Sequence, residues 1–220
     1  MWHLVIGSLK VIMSFGASIR VVFFARPSKS GAIILASNHV SHFDPPLITI
    51  SCPRRIDWIA MKQLFGTWWS KALFEGLNVI PVERGGSDRG ALRTASSRLK
   101  DEGRVVGIFP EGGIRDSEAS LLNGGPVREG VALLARLSGA PIQPCVIIGS
   151  DRLYNKRRWI PWRRAPVWIA FGEPFVAESR DECATELSRR ISEMKERLMR
   201  EYGVQEEDLP KPPRQRMAEH

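Results

Sequence analysis

Short apolar runs alternate along the chain with longer stretches whose apolar residues recur every three or four positions. The short runs are rich in β-branched residues and bounded by Gly or Pro, which is typical of buried strands. They predict strands at Ala32–Ser37, Ile56–Ala60, Val79–Val82, Val105–Phe109, Ile142–Ile148 and Val167–Phe171. The periodic stretches predict helices over Met61–Glu75, Ser87–Glu102, Val127–Leu137 and Glu178–Tyr202.

This alternation of strands and helices predicts an α/β fold with a mixed, mostly parallel sheet flanked by helices. The nearly continuous apolar character of the strands indicates that helices cover both faces of the sheet. We place this α/β domain at residues 28–203, after a separate N-terminal segment at 1–27. The Pro-rich end, 204–220, is expected to be a mobile tail.

Residues 1–27 are the most apolar part of the chain, but Lys10 and Arg20 interrupt them. The uninterrupted runs fall short of the roughly 20 apolar residues that a membrane-spanning helix needs. Nor does the segment have the charge-then-apolar order of a signal peptide. Since it has basic residues and no acidic one, we expect a helical segment that lies in the headgroup region of an anionic membrane. The alternative is an ordinary buried N-terminal helix.

The chain has 32 Lys and Arg against 24 Asp and Glu, a net charge of +8, which favours anionic partners. Residues 151–165, DRLYNKRRWIPWRRA, carry six basic residues and one acidic residue, interleaved with Tyr154, Trp159 and Trp162. Aromatic rings beside basic residues suit a membrane interface. Two alternatives are a solvated loop whose Trp residues cover the core edge and a single-stranded nucleic-acid site. No known nucleic-acid motif accompanies the segment, so we expect no nucleic-acid partner.

The number and spacing of the cysteines indicate the type of cellular compartment. The three cysteines lie far apart, are odd in number and form no CxxC pair, which excludes a disulfide framework and a zinc-ligand spacing. A reducing compartment is therefore expected. Together with the apolar and basic segments, this predicts a peripheral or monotopic protein at the cytoplasmic face of a membrane.

The segment that follows the first predicted strand, NHVSHFDP, contains candidate catalytic residues. His39 lies at the end of an apolar strand, where α/β folds place their ligands, and Asp44 follows five residues later. A loop of this length can fold back so that the carboxylate holds the imidazole as a general base. A metal site formed with His42 is conceivable, but no fourth ligand is evident nearby, so we expect no metal.

Two later segments carry cations and glycines that suit anion binding. Arg84 follows a strand, and Arg115 lies in the Gly-rich turn FPEGGIR. Both side chains suit a bidentate grip on phosphate, and Gly112 and Gly113 allow backbone N–H groups to approach an anion closely. The alternative for each is a surface Arg or a plain turn.

Four segments occur in order, NHVSHFDP, VIPVER, FPEG and APIQP, and with them the chain resembles the glycerolipid (lysophospholipid) acyltransferase family. The resemblance implies transfer of a fatty acyl group from a thioester, acyl-CoA or acyl-carrier protein, to the hydroxyl of a lysophospholipid. The foremost candidate acceptor is 1-acylglycerol-3-phosphate, which would give phosphatidic acid. The donor is a co-substrate, and no cofactor is implied.

By the same resemblance, His39 is the general base and Asp44 its orienting partner. The resemblance also assigns the phosphate and glycerol portion of the acceptor to a group of residues: Arg84, Glu111, Gly112, Gly113 and Arg115. The chain departs from the family block F-P-E-G-T-R-S, because its FPEGGIRD lacks the Thr and has the Arg one place later. Two alternatives therefore stay open: a different lipid acceptor, and a non-catalytic lipid-binding module on the same fold.

Overall fold

A computed structural model describes residues 2–61, 79–82, 89–115 and 119–210. Within them, seven strands form one sheet: β1 Ala17–Phe23, β2 Ile33–Ser37, β3 Ile56–Met61, β4 Ile80–Val82, β5 Val105–Ile108, β6 Ile142–Ile148 and β7 Ala165–Phe171. The described α-helices are α1 Trp2–Gly16, α2 Asp44–Ser51, α3 Arg89–Lys100, α4 Glu129–Ser138 and α5 Arg180–Tyr202.

The strand order is β1-β7-β6-β2-β5-β3-β4. β6 and β7 are antiparallel, and every other neighbouring pair is parallel. The predicted mixed, mostly parallel sheet is thus confirmed. β2 lies in the middle of the sheet, between β6 and β5, and all five of its residues are buried. The residues that follow β2, β5 and β6 therefore meet at the carboxyl edge of the sheet.

Helices cover both faces of the sheet, as the apolar strands predict. α3, α4 and α5 pack on one face, where the buried stripe of α5 is Cys183, Leu187, Ile191, Met194 and Leu198. α1 and α2 lie on the other face and contribute Met13, Leu47 and Ile48 to its core. Successive β2 residues alternate between the two cores, with Ile34 in the first and Leu35 in the second. This double cover fixes β2 and hence the start of the loop that follows it.

The predicted helical segment over 1–27 is wrong for residues 17–23, which form β1 and pair in parallel with β7. Arg20 is exposed on this strand, with its guanidinium 5.3 Å from the centre of the Trp168 ring. α1 ends at Gly16, where an added Cβ would come within 3.0 Å of Trp159. Among the described residues, no helix is both long and apolar enough to cross a membrane.

The predicted mobile tail is wrong for residues 204–210. Val204 and Asp208 are buried, and the Asp208 carboxylate pairs with Arg152 at 2.6 Å. Three further predictions concern residues beyond the described ranges. Most of the predicted helix Met61–Glu75 lies outside them, as do the Ser87 start of the next helix and residues 211–220.

Candidate active site

His39 and Asp44 meet in the loop that joins β2 to α2, as predicted. The Nδ1 atom of His39 lies 2.8 Å from Oδ2 of Asp44. The backbone N–H groups of Val40 and Ser41 donate to the same oxygen at 2.7 and 2.8 Å. The Asp44 side chain is fully buried, whereas that of His39 is 14% exposed. A carboxylate inside the protein therefore orients an imidazole that a substrate can reach.

The second oxygen of Asp44, Oδ1, accepts a hydrogen bond from the hydroxyl of Ser150. Ser150 is buried and follows β6, 106 residues along the chain from Asp44. Both carboxylate oxygens thus have donors. The sequence offers no signal for this contact, since a lone Ser after a strand is an ordinary turn residue.

The backbone of His39 is held on both sides. Its N–H donates to Oε2 of Glu111 at 2.6 Å, and its carbonyl accepts from the N–H of Arg115 at 2.8 Å. The amide of the preceding Asn38 pairs with both backbone groups of Ile147 at 2.9 Å. Because that pairing continues the contact between β2 and β6, it fixes the point where the loop leaves the sheet.

Glu111 was predicted to bind an acceptor, but in this structure its carboxylate contacts protein groups. Besides the His39 N–H on Oε2, Oε1 accepts from the N–H of Leu121 at 2.5 Å and the hydroxyl of Ser120 at 3.2 Å. The side chain is buried, and this burial raises the pKa of Glu111 to about 7 against the opposing effect of its donors. Its observed role is to hold the backbone of His39.

The imidazole of His39 lies on a stack of aromatic rings that sequence reasoning missed. The ring of Phe109 stacks on it with centroids 3.9 Å apart, and Trp58 stacks on Phe109 at 4.7 Å. The indole N–H of Trp58 is anchored in turn on the hydroxyl of Thr49 at 2.8 Å. With Nδ1 on Asp44 and one face on Phe109, the ring has a fixed plane, and Nε2 has no hydrogen-bond partner among the described residues.

The predicted anion-binding turn adjoins this stack. Gly112 has φ +68°, and a Cβ there would come within 2.5 Å of the Arg128 side chain. Arg128 donates from Nε to the carbonyl of Glu111 at 3.1 Å, and sequence reasoning missed it because one Arg in PVREG carries no pattern. Gly113 and the exposed Arg115 lie on the same turn, whereas Arg84 lies outside the described residues.

His42 is not part of the His39–Asp44 pair. Its Nδ1 lies 2.6 Å from the hydroxyl of Tyr154, which also accepts from the His42 backbone N–H at 3.1 Å. Tyr154 belongs to the segment 150–164, which forms three short 3-10 helices. The described residues include no group of three or more His, Cys, Asp or Glu arranged to hold a metal ion.

Comparison with known proteins identifies the family. The sequence profile of the acyltransferase family matches residues 18–148, which contain the loop with His39 and Asp44 and the turn at Gly112. The chain belongs to the acyltransferase family. The enzyme class expected from the four sequence segments is thereby confirmed.

The relatives of this acyltransferase agree with that assignment. Over 203 residues it is 26% identical to the 1-acyl-sn-glycerol-3-phosphate acyltransferase of Bacillus subtilis (strain 168), with 90% of this chain and 98% of that protein covered. The protein of the same name from Helicobacter pylori is 29% identical over 130 residues, 58% of this chain and 53% of that one. The crystal structure of the LPA acyltransferase PlsC from Thermotoga maritima shares the fold, with a TM-score of 0.66 at 23% identity over 90% of this chain and 79% of that chain.

Proposed function

We propose that this acyltransferase moves a fatty acyl group from a thioester donor to the free hydroxyl of 1-acylglycerol-3-phosphate, which gives phosphatidic acid. The observation that carries the proposal is the 2.8 Å contact between His39 Nδ1 and the buried Asp44 carboxylate, close to a turn that carries Arg115 and is contacted by Arg128. The printed names of the Bacillus subtilis and Helicobacter pylori relatives support the choice of acceptor.

In the proposed reaction, Asp44 accepts the Nδ1–H of His39, so that Nε2 is free to act as a base. As Nε2 takes the proton of the acceptor hydroxyl, the hydroxyl oxygen attacks the thioester carbonyl and a C–O bond forms. The tetrahedral intermediate then expels the sulfur, which takes the proton back from the imidazolium as the C–S bond breaks. Such general base catalysis contributes about 10²–10⁴ in rate. No covalent acyl-enzyme is required.

The acceptor phosphate is assigned to the arginines around the Gly112 turn. Arg128 is fixed by its Nε on the Glu111 carbonyl, and its terminal nitrogens have no hydrogen-bond partner within the described ranges. Arg115 is exposed on the same turn, two residues after Gly113. A guanidinium offers a planar pair of donors that matches a phosphate. In this proposal Arg128 compensates for the position of Arg115, which lies one place later than the Arg of the family block. Phosphate binding by Arg84 stays a prediction.

The same proposal places the enzyme at the cytoplasmic face of an anionic membrane as a peripheral or monotopic protein. α1 exposes apolar side chains to solvent, among them Leu4 and Phe15, at 76% and 50% exposure. It contacts the basic 3-10 segment, in which Trp162 is 81% exposed and Arg164 reaches the carbonyl of Ser14. Apolar and aromatic groups beside cations suit the headgroup region of such a membrane.

The test is acyl transfer to lysophosphatidic acid in detergent micelles, with acyl-CoA and acyl-carrier protein offered in parallel as donors. The native chain should form phosphatidic acid, and His39→Ala should lose at least a hundredfold in rate because it has no base. Arg128→Gln should raise the KM for lysophosphatidic acid about tenfold and leave transfer to an uncharged monoacylglycerol unchanged. A folded native chain that binds lipid but acylates no lysophospholipid would instead establish a non-catalytic lipid-binding module.

A further inference from the structure

We propose that Ser150 is a positioning residue for the His39–Asp44 pair, held in place by the end of β6. The inference rests on the proposed role of His39 as the base, and it adds a residue that lies far from the loop in sequence. Ser150 acts through Asp44 and touches neither substrate nor the reacting atoms.

The two carboxylate oxygens of Asp44 differ in the hydrogen-bond donors that contact them. Oδ2 accepts from the His39 ring and from two backbone N–H groups of the loop itself. Oδ1 has the Ser150 hydroxyl as its only donor among the described residues. Because both side chains are buried, water cannot replace a lost donor without rearrangement of the site. Without that hydroxyl, the carboxylate has one unsatisfied buried oxygen, and only its Oδ2 end is held in place.

Rigid elements of the fold position Ser150 next to Asp44. Asn38 locks the start of the loop to Ile147 near the end of β6. Gly149 then turns the chain with φ +87°, and any side chain there would collide with the carbonyl of Pro166, 2.3 Å from the Cβ position. The position of Ser150 is thus set by the sheet, independently of the loop that it supports.

The 3-10 helix that begins at Ser150 contacts the same loop at its other end. Tyr154 accepts from the backbone N–H of His42 and contacts the His42 ring. The helix therefore contacts the loop at residues 42 and 44. Since Tyr154 is 44% exposed, we expect its contribution to be smaller than that of the buried Ser150.

Loss of the Ser150 hydroxyl should move the acid limb of the pH–rate profile in a predictable direction. A donor on Oδ1 stabilises the carboxylate most when the imidazole is neutral, because an imidazolium already neutralises the charge. Removal of the donor therefore favours proton uptake by the pair, and the acid limb of the pH–rate profile moves to higher pH. Other titratable groups lie near the pair, namely Glu111, His42, Tyr154 and Cys145, and Asp151 follows Ser150 in the chain. They are the same in native and variant chains, so the difference between the two profiles isolates Ser150.

The experiment compares Ser150→Ala with Ser37→Ala, at a buried serine of β2 that makes no hydrogen bond to the Asp44 carboxylate. Ser150→Ala should lower kcat about tenfold or more, keep KM within about twofold and shift the acid limb upward. Ser37→Ala should leave both kcat and the limb unchanged. If Ser150→Ala does not fold, Ser150→Cys fills the space with a weak donor and should give the same shift.

NMR of histidine-labelled protein separates this inference from the proposed reaction. The titration of the His39 ring, assigned with a His39→Gln variant, should move to higher pH in Ser150→Ala without any substrate present. A shifted titration in a chain that acylates nothing would support the positioning role and overturn the proposed function. An unshifted titration and acid limb in a folded Ser150→Ala would overturn the positioning role, whatever the activity.

Discussion

The two ends of the sheet both bury carboxylates, but they neutralise them differently. At the carboxyl end, Asp44 and Glu111 accept from backbone N–H groups and hydroxyls, and no Lys or Arg of the described chain pairs with either. At the amino end, Asp57 of β3 is fully buried against the guanidinium groups of Arg98 and Arg104, at 3.2 and 3.0 Å. Burial raises the pKa of Asp57 in spite of these two cations.

This difference indicates that the buried carboxylate at the amino end has a structural role and that Asp44 at the carboxyl end has a chemical one. At the amino end, the charge of Asp57 is cancelled by permanent cations, and Arg54 ties three backbone carbonyls of the neighbouring loops together. At the carboxyl end, the group that can neutralise Asp44 is the imidazole of His39, and only once it has taken a proton. In the proposed reaction, the cation therefore forms when His39 takes the proton of the acceptor hydroxyl. We expect substitutions at the amino end to change stability and those at the carboxyl end to change activity.

The largest effect on stability should come from Asp57→Ala. This change leaves Arg98 and Arg104 without their shared carboxylate, and the loss of one partner of a buried pair costs about 3–5 kcal/mol. Because both arginines are about one-fifth exposed, with side-chain exposures of 22% and 21%, we expect the low end of that range. Urea denaturation measures the free energy of unfolding.

The matched variant at the other end of the sheet is His39→Ala. It should lower the free energy of unfolding by about 1–2 kcal/mol, less than Asp57→Ala, because it removes the contact with Asp44 and the stack on Phe109, and it should abolish activity. Asp57→Ala should show the reverse, with nearly native activity per folded molecule. If Asp57→Ala instead lost activity without loss of stability, the separation of roles between the two ends would be wrong.

The next largest expected effect is a dependence of the free energy of unfolding on pH, caused by Glu111. Its pKa rises from the ordinary 4.5 to about 7 on folding, so between these values the folded protein keeps a proton that the unfolded chain has lost. Stability from this group is therefore complete below pH 4.5 and falls as the pH rises to 7, by on the order of 3 kcal/mol. Urea denaturation at pH 5 and pH 7.5 measures the fall.

Glu111→Gln should remove this fall, because the amide does not titrate, although it also costs a hydrogen bond at both pH values. Glu129→Gln, at an exposed carboxylate of α4, is the control and should keep the native pH dependence. Parallel curves for native and Glu111→Gln protein would show that Glu111 is ionised to the same extent in the folded and unfolded chains.

Most of the sheet could be predicted because its strands are short apolar runs between Gly and Pro. β1 could not, because residues 17–23 continue the apolar character of α1, and only their pairing with β7 makes them a strand. The same division applies to the site. His39 and Asp44 lie within one loop, so their spacing carries the information.

Ser150 contacts Asp44 directly, whereas Trp58 packs near His39 through Phe109, and Arg128 does so through the backbone of Glu111. Each is a single residue of ordinary type in its own segment, and the arrangement of the fold brings it close to the His39 loop. No local pattern could have indicated them. Glu111 shows the same limit in another form, since its segment was recognised but the side chain faces inward, on the backbone of His39.

The smallest expected effect concerns the proposed membrane contact beside the carboxyl end of the sheet. Trp162→Ala should weaken binding to vesicles of anionic phospholipid about fivefold, because partial burial of one indole in the headgroup region contributes about 1 kcal/mol. Val176, 71% exposed beside the strand bridge at Phe175 and Ile142, lies at the amino end, and Val176→Ala should leave vesicle binding unchanged. Flotation of both variants with the native chain measures the two binding constants. Equal losses of vesicle binding in both variants would mean that the membrane shows no preference for the carboxyl end of the sheet. A loss confined to Trp162→Ala would place the membrane on the same side as His39, where an acceptor could pass from the lipid surface to the base without crossing the protein.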